Sequence, residues 1–114
     1  MSNKYKNRKI KVLGIVFDSQ KEAARYKELL RRKQQGFISA LELQKKFEIC
    51  KKVKGEKGSR AKYYVCDFFY YDYALCKFVV EDVKGDYTAR LPLFKLKWQL
   101  MKNLYPEYDF KIFN

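Results

Sequence analysis

The stretch Tyr63–Gly85, YYVCDFFYYDYALCKFVVEDVKG, decides how the rest of the chain is read. Both halves are dense in aromatic and β-branched residues, the side chains that suit a pleated, half-buried surface. A short polar turn separates them, so a β-hairpin is predicted. Set into these apolar strands are Asp67, Glu81, Asp82 and Lys84. A charge in a half-buried strand is costly unless it is paired, metal-bound or solvated. Side chains alternate along a strand, so Asp82 and Lys84 share a face with Val80, and Glu81 and Val83 share the other. By the same rule Asp67 shares a face with Val65 and Phe69. If Asp72 pairs with Lys77 across a four-residue loop, the register puts Asp67 opposite Asp82, with about 5 Å between Cβ atoms. Two carboxylates at that separation repel unless a divalent cation lies between them. A slip of one residue would bring Glu81 opposite Asp67, and no lysine would then join the acids two residues on. The plainer alternative is that Asp82–Lys84 is a surface pair and Asp67 a solvated strand acid.

Outward from this hairpin, the preceding segment ISALELQKKFEIC alternates from Leu41 through Leu43 to Phe47 and Ile49 and reads as a strand. A basic, glycine-containing loop joins it to Tyr63. Upstream, SQKEAARYKELLRRKQQG reads as a helix: Ser19 is an N-cap, Glu22 completes an S-x-x-E capping box, and Gly36 is a stop. Two apolar runs around Leu13-Gly14 suggest a further hairpin. After Gly85 a loop is expected, then a helix from Leu91 to Tyr105 with Pro92 in its first turn and Pro106 at its end. Leu93, Leu96, Leu100 and Leu104 run beside Phe94, Trp98 and Met101 as a broad apolar stripe. YDFKIF alternates as a last strand. The expectation is an α/β sandwich with one mixed sheet and two main helices. Residues 1–8 are expected to form a basic flexible tail and residues 9–114 a single domain.

The composition points toward a polyanionic partner. The chain has 114 residues, no histidine and a formal charge of +13. Residues 1–62 hold 19 Lys and Arg against 6 acids, whereas residues 63–114 hold 7 of each. One half therefore presents a positive surface, and nucleic acid is the commonest partner for such a field. Cys50, Cys66 and Cys76 form no CxxC pair, and without histidine they make no zinc site. They fit a reducing compartment. No apolar run suggests a signal peptide or a membrane span, so a cytoplasmic protein is expected.

On the first helix Glu22, Tyr26, Leu29 and Leu30 lie on one face, which must pack on the sheet. Glu22 is therefore open to two roles, a capping-box glutamate or a third acid beside the strand acids. An acid on a first helix, an acid in a second core strand and acid-x-Lys in a third, on an αβββαβ skeleton, resembles the PD-(D/E)XK nuclease superfamily. The segments GIVFDSQKEAARYKEL, LELQKKFEI, YVCDFFY and VVEDVKG resemble more closely a family of small phage and prophage nucleases long known as a domain of unknown function. The resemblance runs from about Lys4 to the C-terminus. It implies a restriction-endonuclease-like core with an added N-terminal β-hairpin, and Glu22, Asp67, Asp82 and Lys84 as the catalytic residues. Two departures stand out: Cys66-Asp67 replaces Pro-Asp, and Gln44-Lys45 replaces Gln-Pro. Gln44 matches a polar position of unassigned role.

The resemblance also implies Mg²⁺- or Mn²⁺-dependent hydrolysis of DNA phosphodiester bonds, leaving 5′-phosphate and 3′-hydroxyl ends. Asp67, Asp82 and the Val83 carbonyl would hold the ion, with Glu22 on a second ion or its water. Lys84 would orient the attacking water or stabilise the charge built up on phosphorus. Arg31, Arg32, Lys33, Lys51, Lys52, Lys54, Lys57, Arg60 and Lys62 are the candidate backbone contacts, which give affinity without sequence reading. Branched or junction DNA is the favoured substrate, a homodimer the expected assembly, and the cytoplasm of a bacterial host cell the expected location. The rivals are a non-catalytic basic nucleic-acid-binding module and an adaptor or inhibitor on a decayed nuclease fold.

Overall fold

The computed structural model describes residues 9–114; the predicted tail over residues 1–8 lies outside them. Strands β1 (Ile10–Val12) and β2 (Ile15–Phe17) pair antiparallel as the expected hairpin. Their turn residues Leu13 and Gly14 both take positive φ, 50° and 83°, as a two-residue type I′ turn requires. Helix α1 (Gln20–Gln34) starts where Ser19 Oγ accepts the Glu22 N–H at 3.1 Å. It closes at Gly36, φ 82°, with Gly36 and Phe37 N–H groups returning to the Lys33 and Arg32 carbonyls, the Schellman pattern that glycine permits.

A four-stranded sheet follows in the order β3 (Ile38–Cys50), β4 (Lys62–Asp72), β5 (Lys77–Val83), β6 (Asp109–Phe113). The first three are antiparallel and β6 is parallel to β5. Between β5 and β6 lie a short helix, α2 (Asp86–Ala89), and α3 (Pro92–Leu104) with Pro92 in its first turn. The segment after Gly85 is thus a helical turn in part rather than loop alone. The mixed sheet with its preceding helix, its later helices and its N-terminal hairpin is the αβββαβ arrangement expected from the sequence. Among the described residues, no helix is long and apolar enough to cross a membrane.

Two apolar clusters lie on opposite faces of the sheet. One gathers Phe17, Tyr26, Leu29, Ile38, Phe68, Tyr70 and Val79 under α1; the other gathers Phe47, Ile49, Tyr64, Cys66, Phe69, Val80, Trp98 and Met101 under α3. Strict alternation along β3 and β4 fails between them. Leu41 and Leu43 pack toward α1, but Phe47 and Ile49 pack toward α3. Gln44 stands between them with φ 53°, a left-handed conformation that turns the strand over. In β4 the reversal falls at Asp67, with Cys66 under α3 and Phe68 under α1. Val65 and Phe69 therefore do not share a face: Val65 is exposed and Phe69 buried. On α3 the predicted broad stripe also divides. Trp98 and Met101 are buried, whereas Leu93, Leu96 and Leu104 face outward.

Candidate active site

The hairpin register matches the reading that placed the acids together. Asp72 pairs with Lys77, and the ladder runs on to Phe68 opposite Glu81. One step further, Asp67 stands opposite Asp82, and there the backbone ladder gives way to side chains. The Asp67 N–H donates to Asp82 Oδ1 at 3.0 Å, and the Val83 N–H donates to Asp67 Oδ2 at 2.8 Å. Beyond this point β5 continues on β6, with Val83 beside Phe113 and the Lys84 N–H donating to the Phe113 carbonyl, while β4 continues on β3 alone. The two central strands part, and the carboxylates occupy the opening.

Asp82 is 1% exposed and its Oδ2 has no hydrogen-bond partner. A buried acceptor without a partner bears its full desolvation cost. Burial pushes the Asp82 carboxyl up to about 6, against the pull of Lys84 and of the Asp67 N–H. Lys84 Nζ lies 4.0 Å from Asp82 Oδ1 and 5.4 Å from the Phe94 ring centre. Glu22, brought in by α1, is pushed up to about 7 by burial first, then by the charges of Asp67 and Asp18 and a side-chain hydrogen bond with Asp67, with Lys84 pulling the other way. All four predicted catalytic residues therefore share one electrostatic neighbourhood. Its backbone N–H donates to Ser19 Oγ, as any residue at that position can, whereas its carboxyl feels the charge of Asp67 and a side-chain hydrogen bond with it. Gln44 gains a role as well: its Nε2 donates to Asp67 Oδ1 at 3.4 Å, so the residue that turns β3 over also orients the first strand acid.

Whether these groups suit a metal turns on the donor set. Among the described residues, no three acidic or cysteine side chains gather closely enough to hold an ion jointly. Asp67 and Asp82 face each other, and Asp82 Oδ2 is an unused buried oxygen. Two carboxylates and a carbonyl fit Mg²⁺, which is bound through one or two carboxylates and keeps several waters. They do not amount to a closed three-acid cage, so Glu22 suits the water shell better than direct ligation.

The predicted phosphate contacts are scattered by comparison. Lys52, Lys54, Lys57, Arg60 and Lys62 are exposed on or beside the loop between β3 and β4. Lys51 lies 3.4 Å from Glu48. At the far end of α1, Arg31 and Lys33 are exposed, but Arg32 sits 3.6 Å from the buried Asp72. That pairing directs its guanidinium inward.

One constellation was missed. Arg25 Nε and Nη2 donate to the Glu81 carboxylate at 2.6 and 2.9 Å, and the Tyr70 hydroxyl donates to it at 2.6 Å. Arg25 is 7% exposed and Glu81 0%. The available signal was Arg25 itself, one turn after Glu22 and beside Tyr26 on the helix face that packs on the sheet. A cation there needs an acid, and Glu81 is the acid that alternation turns toward α1.

The fold and site together define an α/β protein whose paired strand carboxylates, helix glutamate and lysine meet where two central strands diverge. The chain belongs to the family described as a protein of unknown function, DUF1064, whose model matches residues 2–113. No curated protein and no solved structure matches the chain.

Proposed function

We propose that the protein is a divalent-metal-dependent endodeoxyribonuclease of the PD-(D/E)XK type. The observation that carries this reading is Asp82: a sealed carboxylate with an unpartnered oxygen, facing a second carboxylate and flanked by a lysine. A fold keeps such a group at a cost, and a bound cation would remove that cost. Asp67, Asp82 and the Val83 carbonyl would hold Mg²⁺ or Mn²⁺, which when bound supplies the charge that polarises a phosphate and acidifies a water. Gln44 and the Val83 N–H fix the Asp67 carboxylate. Lys84 stands beside the acids to stabilise negative charge on the phosphoryl oxygens. Glu22 orients water next to Asp67. Branched DNA remains the favoured substrate. A homodimer would match its paired strands, and the outward Leu93, Leu96 and Leu104 of α3 support such an assembly.

The test is incubation with plasmid, linear and four-way-junction DNA, with Mg²⁺, Mn²⁺ or chelator. Metal-dependent cleavage that Asp67→Asn abolishes is the expected result. Cleavage that persists in chelator, or in Asp67→Asn, overturns the site. The rival, a basic nucleic-acid-binding or adaptor protein on the same fold, draws support from the absence of a gathered three-acid set among the described residues. It predicts DNA binding with no cleavage under any metal.

A further inference from the structure

Past Asp67 the β3–β4 ladder runs on as a two-stranded arm, Lys45–Cys50 against Lys62–Cys66, closed by the basic loop. An isolated two-stranded ribbon is marginal in water. This one is held on a single face, where Phe47, Ile49, Tyr64 and Cys66 pack with Trp98 and Met101 of α3. Two further bonds tie the arm down, from Lys97 Nζ to the Tyr63 carbonyl and from the Tyr105 hydroxyl to the Glu48 carbonyl. The other face carries Lys46, Glu48, Tyr63 and Val65, none of which belongs to either core cluster. Tyr63 is 40% and Val65 44% exposed, and Lys46 Nζ stands 4.5 Å over the Tyr63 ring centre. The apolar side chains on this face stand partly open to solvent and belong to neither core cluster.

The charge of the arm indicates what would cover that face. Residues 44–65 hold eight Lys and Arg against two Glu, an excess suited to a polyanion. The face also leads to the site. Along β4 Val65 lies two residues from Asp67, and Tyr63 two residues further out. At a strand rise of 3.3 Å per residue, Tyr63 lies about 13 Å from Asp67, roughly the axial rise of four nucleotides of one duplex strand.

We propose that the bare face of this arm is a nucleic-acid track that seats the strand to be cut. Lys46 and, at the tip of the arm, the exposed Arg60 neutralise its phosphates, and the Tyr63 ring stacks on a base or sugar. The choice of polymer rests on the nuclease reading, but binding without metal tests the track separately. Fluorescence anisotropy in chelator would compare wild type with Lys46→Ser/Arg60→Ser, with Tyr63→Ser, and with Lys27→Ser/Lys95→Ser. The last pair removes the same charge from exposed positions on the two helices. Circular dichroism confirms folding of each. The arm pair should flatten the slope of log K against log salt by about 0.9 per lost contact on duplex, while the control pair leaves it unchanged. Tyr63→Ser should weaken single-strand binding about 5-fold or more. Equal losses from arm and control pairs, or full affinity in both arm variants, overturn the track. Loss of binding in the arm variants of a protein that never cleaves would leave the track standing and remove the nuclease reading.

Discussion

Glu81 and Asp82 are neighbours in one strand, sealed from water at 0% and 1% exposure, yet they stand in opposite conditions. On the α1 face, Glu81 receives two bonds from Arg25 and one from Tyr70. Its charge is matched, and the group ties helix to sheet. On the other face, Asp82 has one backbone donor, a lysine at 4.0 Å and an oxygen with no partner. Burial is common to both, so burial alone does not mark a functional acid. What separates them is whether the protein itself completes the shell. Where it does, the acid is structural; where it does not, something from outside has a place to bind.

Paired substitutions at these two residues separate them most sharply. Asp82→Asn should abolish metal-dependent cleavage and leave the metal-free fold intact or more stable, because a desolvated charge is removed while the Oδ1 acceptor remains. Glu81→Gln should do the reverse, costing about 3 kcal/mol or more in urea unfolding, since it leaves buried Arg25 with only the half-exposed Glu28, 3.8 Å away, as counter-charge. Equal stability losses in the two variants would dissolve the distinction.

Acidity gives a second handle. Glu22 and Asp82 are raised from ordinary values of 4.5 and 3.8 to about 7 and about 6. Over that interval the folded state binds more protons than the unfolded chain, so stability falls as pH rises. Without metal the loss between about pH 4 and pH 7 should be on the order of 2–4 kcal/mol. Ion binding requires the charged carboxylates, so the gain in Tm from millimolar Mg²⁺ should grow from about pH 5.5 to about pH 8. Chemical denaturation across pH with and without Mg²⁺ measures both. A metal-free stability that rises toward neutrality would show that these acids are already satisfied.

Much of this contrast was readable in the sequence. The Asp72–Lys77 turn fixed the register, and the register placed Asp67 beside Asp82 without any long-range information. The Ser19 cap, the Gly36 stop and the Pro92 start are local signals, and they marked the helices. Face assignments were less accessible. Alternation assumes a regular pleat, and the left-handed φ at Gln44 breaks it at the point where the site forms; glutamine gives no hint of that conformation. The Arg25–Glu81 pair joins residues 56 apart, which no spacing rule connects. The outward leucines of α3 were indistinguishable from core leucines by periodicity alone.

Glu22 lies between the two conditions and gives a smaller, diagnostic effect. Glu22→Gln keeps the backbone N–H on Ser19 Oγ, so the helix should lose little stability. If the carboxylate serves the water shell beside Asp67, turnover should fall by one to two orders of magnitude, roughly the lower range for one positioned acid–base group. Single-turnover rates at saturating DNA measure it. Full activity would assign Glu22 to the helix start alone.

The smallest effect on chemistry is expected where neither acid is touched. The loop from Lys51 to Lys62 carries exposed cations and turns at Gly55 and Gly58, whose φ values are 81° and 85°. The Val53 N–H donates to Ser59 Oγ at 2.7 Å across it, so the loop has a shape of its own while lacking a packed core. Replacing Lys51, Lys52, Lys54 and Lys57 by Ser should weaken binding alike for all DNA sequences, because phosphate contacts carry no base information. It should also flatten the salt dependence by about 0.9 per lost contact on duplex, with Lys51 contributing least because Glu48 already holds it at 3.4 Å. The rate of cleavage at saturating DNA should stay at the wild-type value, since every proposed ligand lies at the root of the arm and none in the loop. A fall in that rate would mean that the loop positions the scissile phosphate, and the division between a binding arm and a chemical centre would no longer hold.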